Sequence, residues 1–144
     1  MPSEYKKNGV HFFYPDNWQL DEMPLEEGSI TVELNSPDGA YWMLTVSETD
    51  SPEKLAELAR DAMMAEYRDL ESVPTTKMIA GRKLSGFDMD FMVFDLVNTA
   101  MVLTFSENNR AYAIFWQADD QLLSGTCEDV FNAITFSLID RLTQ

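Results

Sequence analysis

Residues 101–116 read MVLTFSENNRAYAIFW, and the way this stretch pairs with itself decides the fold. Met101, Leu103 and Phe105 alternate with Val102, Thr104 and Ser106, the two-residue period of a strand. Asn108-Asn109 follows, and asparagine tolerates the positive φ that a two-residue hairpin turn demands. That turn sets Phe105 opposite Tyr112, Leu103 opposite Ile114 and Met101 opposite Trp116. Every pair is apolar, which is what one buried face requires of a correct register. The intervening positions are also largely apolar, so the sheet is expected to be covered on both sides.

Working outward, Lys83 to Phe94 reads as a strand with Phe87, Met89, Phe91 and Val93 on one face. Residues 76–80 are extended up to Gly81, and Val73-Pro74 closes the helical region before them. In that region Ser51-Pro52-Glu53 opens a helix with an N-cap serine, proline at the first position and an early acid. Leu55, Leu58, Ala59, Ala62, Met63 and Leu70 share its apolar face. Met64 and Glu66 break the pattern. Further upstream, Ile30, Val32 and Leu34 pair across the turn SPDG at 36–39 with Trp42, Leu44 and Val46 as a hairpin. At the start, VHFFYPDNWQL (10–20) reads as a strand stopped by Pro15 and a turn, with its aromatics mainly structural. Residues 21–29 read as a loop. A closing helix runs from about Thr126, with Thr126 and Asp129 as a capping pair and Cys127, Val130, Phe131 and Ile134 inward. The whole is expected to be a single domain over 1–144, of class α+β.

The order and spacing of several motifs resemble the PsbP-like fold family. That group takes in the extrinsic photosystem II subunit, a Ran-binding nuclear import factor and bacterial DcrB-related proteins. The motifs are Tyr14-Pro15-Asp16-Asn17-Trp18, the hairpin ITVELNSPDGAYWMLTVSE, Met78-Ile79-Ala80-Gly81-Arg82-Lys83-Leu84, and Ala113-Ile114-Phe115-Trp116 with the tail Ile134-Thr135-Phe136-Ser137. The resemblance implies an α/β/α sandwich with a central antiparallel sheet flanked by helices. It also implies a non-enzymatic role as binder, assembly factor or chaperone, with no cofactor.

Charge narrows the partners. Twenty-five acids against 10 bases give a formal net charge of −15. Such a field repels phosphate backbones, so nucleic-acid binding is not expected, and no run is apolar enough for membrane insertion. A basic or partly apolar protein partner is favoured. One cysteine excludes an internal disulfide, and the start MPSEYKKNGV has no apolar run after its lysines. A cytoplasmic location is therefore expected.

The candidate partner surface is the acidic loop after the first turn. Asp16, Asp21, Glu22, Glu26 and Glu27 surround Trp18, Met23 and Leu25, and an acidic rim about apolar groups suits a basic, partly hydrophobic partner. The out-of-pattern Met64 joins this list. Phe12→Ala is expected to lower the melting temperature, whereas Trp18→Ala is expected to leave the chain folded. The second reading is a small-ligand or divalent-cation domain built on clustered carboxylates. Asp88 and Asp90, at i and i+2 on a strand, project the same way roughly 7 Å apart, and Glu66 could add hydrolytic chemistry. His11, the single histidine, reads as a strand residue beside Phe12. No Gly-x-Ser-x-Gly elbow, phosphate loop or dinucleotide fingerprint is present.

Overall fold

A computed structural model describes residues 2–23 and 28–142. Strands β1 (Pro2–Lys7) and β2 (Val10–Pro15) form a separate two-stranded ribbon. Among the described residues the main sheet has seven strands: β3 (Gln19–Glu22), β4 (Ser29–Asn35), β5 (Tyr41–Ser47), β6 (Glu71–Ile79), β7 (Arg82–Val93), β8 (Leu96–Glu107) and β9 (Arg110–Asp119). They lie in the order β3-β4-β5-β9-β8-β7-β6, every pair antiparallel. Helix α1 (Pro52–Glu66) carries the chain from β5 across to the β6 edge. After β9 come a single turn α2 (Asp120–Leu122) and helix α3 (Glu128–Leu142).

The pairing that decides the fold is the one the sequence dictates. Phe105 faces Tyr112, Leu103 faces Ile114 and Met101 faces Trp116. Asn108 and Asn109 both take positive φ, 51° and 61°. β9 then pairs along its other side with β5, setting Trp116 beside Trp42 and Ile114 beside Leu44.

Alternation sends these strands' side chains into two separate cores. One holds Trp42, Leu103, Tyr112, Ile114 and Trp116 beneath α3 and the β1–β2 ribbon. The other holds Val102, Ala111, Ala113 and Phe115 beneath Leu55, Ala56 and Met63 of α1. Alanines on the second face let α1 approach the sheet closely. The architecture is α+β, an antiparallel sheet with α1 on one side and α3 on the other, as expected.

Several elements differ from the sequence reading. VHFFYP lies in the ribbon laid over the α3 side and outside the main sheet. Phe12 is nonetheless fully buried, stacked on Tyr5 and tilted against Trp42. Residues 19–22 are an edge strand; their alternation is too short to stand out from a polar loop. Pro74 does not precede the extended segment but lies inside β6, which tolerates it because β6 is the sheet's edge. On α1 the covered face is Leu55, Ala56, Ala59 and Met63, and Leu58 and Ala62 turn outward. The helix ends at Glu66, so Leu70 does not belong to its stripe. Ahead of α3, Asp119 provides the cap, accepting from Leu122 N at 3.0 Å, and Gly125 breaks the path with ψ −121°. Among the described residues no helix is long and apolar enough to cross a membrane.

Candidate functional site

Of the residues proposed from the acidic loop, the described ones divide between the core and an edge strand. Trp18 is only 9% exposed and meets Phe131 of α3 edge-on, with 6.0 Å between centroids. It is a core residue because the turn at Pro15, closed by Trp18 N donating to Pro15 O at 3.1 Å, swings the indole under the helix. Asp21 and Glu22 stand on β3. Glu22 accepts from Tyr5 Oη at 3.2 Å and pairs with Lys7 at 3.2 Å. Burial first, and then the Glu22 charge, pushes the Tyr5 phenol up to about 12. Met23 is half-buried and its N–H bonds to Thr31 O. Leu25, Glu26 and Glu27 lie outside the described residues. Met64 is 49% exposed, but it belongs to α1 on the opposite side of the sheet from Trp18.

The carboxylates of β7 are arranged as alternation demands. Asp88 and Asp90 share a face, and Glu71 of β6 stands directly opposite Asp90. One Asp88 oxygen is buried without a hydrogen-bond partner. Burial, followed by the Asp90 charge, pushes the Asp88 carboxyl above its ordinary value, with Lys77 working against the rise. Thr99 Oγ1 lies 2.9 Å from Asp90 Oδ1 and 2.8 Å from Asp120 Oδ1. A hydroxyl has one proton and can serve only one of these acceptors at a time. Among the described residues no three His, Cys, Asp or Glu side chains come together as a metal cluster. His11 Nε2 is 2.6 Å from Glu4 Oε2 across the ribbon, Cys127 is buried beside the α3 kink, and Glu66 faces solvent at the end of α1. These groups lie on separate elements and do not form a nucleophile–base pair.

The feature that the sequence reading missed is the tip of the β7–β8 hairpin. Val93 pairs with Leu96, so the turn is Phe94-Asp95, and both residues take positive φ, 48° and 63°. Phe94 is 96% exposed, and Met92, Leu96 and Val97 around it are also open to solvent. A bulky side chain at positive φ is a genuine outlier. The Asn-Asn turn of β8–β9 shows the ordinary chemistry for this geometry; Asp95 also suits it, and Phe94 does not. One signal did exist. Residues 82–107 are too long for one strand, so a turn was required near the midpoint, and the midpoint is 94–95. Without Gly or Asn there, the alternation simply ran on through Phe94.

No family model matches the sequence, and no curated protein does so either. Solved structures do match the fold. The solution structure of cyanobacterial PsbP (CyanoP) from Synechocystis sp. PCC 6803 superposes with a TM-score of 0.61 at 14% identity, covering 94% of this chain and 90% of that one. A crystal structure of a protein from Bacteroides thetaiotaomicron gives 0.52 at 15% identity, covering 89% of this chain; the match spans 43% of that longer protein. The chain therefore has the PsbP-like fold.

Proposed function

We propose that this PsbP-like chain is a non-catalytic docking module that engages another protein through the β7–β8 hairpin tip. One observation carries the reading: an aromatic ring 96% exposed on a left-handed turn, Phe94. The backbone conformation costs an L-residue about 1–2 kcal/mol, and the ring recovers nothing by burial within the chain. Strained residues of this kind cluster where a partner or ligand uses them. Aromatic side chains, phenylalanine among them, are enriched at protein interfaces relative to the rest of the surface. Met92 beside it is flexible and polarizable, which suits an assembly or chaperone role toward varied apolar segments.

Phe94→Asn tests the proposal. Asparagine accepts the same backbone conformation, so the variant keeps its fold while losing the ring. Affinity capture from native extract with each protein, read by mass spectrometry, should recover a partner with the wild type and lose it with the variant. Recovery of the same partner by both proteins would end the proposal.

A further inference from the structure

We infer that the partner presents a basic amphipathic segment, and that this segment lies across the uncovered strip of sheet next to the Phe94 tip. The inference rests on the docking reading above and adds the chemistry of what docks.

The strip is defined by register. Glu71 lies opposite Asp90 and Asp90 opposite Thr99; Val73 lies opposite Asp88; Met92 lies opposite Val97. All of these side chains therefore project from the face that α3 covers further along the sheet. Here α3 does not reach: Val73, Met92 and Val97 are exposed, and so are Glu71 and Asp90. Asp120 joins the row through Thr99. Beyond it opens a cleft of about 460 Å³, lined by Thr99, Asp120, Leu123 and Glu128 among others.

Two features select the occupant. The first is charge. Like charges directly opposite on neighbouring strands destabilise a sheet, and Glu71 against Asp90 is such a pair. Thr99 sits between Asp90 and Asp120 with one proton for both. The near cation, Lys77, is already drawn toward Asn132 at 3.4 Å and Glu128 at 3.9 Å. Lys or Arg side chains from outside would relieve this repulsion. The second is the apolar content. Val73, Met92 and Val97 border the acids on this face and lead to the exposed Phe94 at the hairpin tip, so a purely ionic partner would leave the apolar border wet. A segment with apolar residues on one side and Lys or Arg along its flanks satisfies both. It docks on the face rather than extending the sheet, because Pro74 removes a backbone donor from the β6 edge.

The test uses three labelled synthetic peptides with the full chain. One carries Leu at helical spacing with Lys on the flanks, a second has Glu in place of each Lys, and a third has Ser in place of each Leu. Fluorescence anisotropy should show the Leu/Lys peptide binding at least about tenfold more tightly than either control, and weakening between about 50 and about 300 mM salt. Asp90→Asn with Asp120→Asn should reduce affinity about tenfold and flatten the salt dependence, while Val73→Ser should weaken binding at every salt concentration. Equal binding of all three peptides, or an unaffected Asn double variant, would overturn the inference. So would self-association that buries the strip in sedimentation experiments, or attachment to phosphatidylcholine vesicles in place of the Leu/Lys peptide. If no peptide binds while Phe94→Asn still abolishes capture, the basic-segment assignment falls and the tip reading stands.

Discussion

The indole of Trp18 stands edge-on to the ring of Phe131, with 84° between their planes. Phe131 stacks in turn on Trp116 at 5.5 Å and 15°. The first proline turn is thereby fastened to α3 and, through it, to the centre of the sheet. Trp18→Ala should cost about 3–5 kcal/mol, comparable to Phe12→Ala. Urea unfolding of both variants measures this. A Trp18→Ala midpoint near wild type would show that the indole is not an anchor of the core.

Phe94→Asn should move stability the other way. Relief of the left-handed turn should stabilise the chain by up to about 1 kcal/mol, a rise of about 2–4 °C in melting temperature for a chain of this size. Calorimetry reads it directly. A fall in melting temperature would mean that the ring contributes to folding and is not held for a partner.

Gly86 admits no side chain. A Cβ built there would lie 1.8 Å from the Val102 carbonyl oxygen of the neighbouring strand, and a backbone atom cannot swing aside. Gly86→Ala should cost about 1–3 kcal/mol or more. Hydrogen exchange should speed up first at the β7–β8 amides around it. Unchanged protection there would contradict the close approach.

Asp88→Asn should stabilise the protein at neutral pH. The folded carboxyl is pushed above its ordinary 3.8 by burial and by Asp90. Its favourable contribution is therefore fully present below that ordinary value and is lost as pH rises through the raised one. At pH 7 the ionised group is a cost, which the amide removes. Melting temperatures should favour the variant at neutral pH and converge with wild type in acid. A variant less stable than wild type at pH 7 would show that the charged form is held by favourable contacts.

Much of the sheet was legible because its signals are local. Alternation in 101–106 and 111–116, with Asn108-Asn109 between, set one hairpin to the residue. Ile30 to Val46 set another, with Trp42, Leu44 and Val46 buried together. The misread parts are those whose burial depends on distant chain. Leu58 and Ala56 of α1 are chemically interchangeable as core residues, and only the angle at which the helix meets the sheet turns one out and the other in. Trp18 reads with the acidic loop because its neighbours in sequence are charged, while in space it packs against the Phe131 ring of α3.

The candidate site divides in the same way. The sequence by itself determined the two-faced apolar strands, the acidic balance and the pairing of Asp88 with Asp90, since each follows from residue type and a period of two. Only the tertiary structure decided which stretch of that sheet stays bare: α3, deflected at Gly125, covers Trp42 and Trp116 but stops short of Val73, Asp90 and Met92. Coverage is a property of the angle and length of a helix packed from far along the chain, and no local pattern in β7 records it.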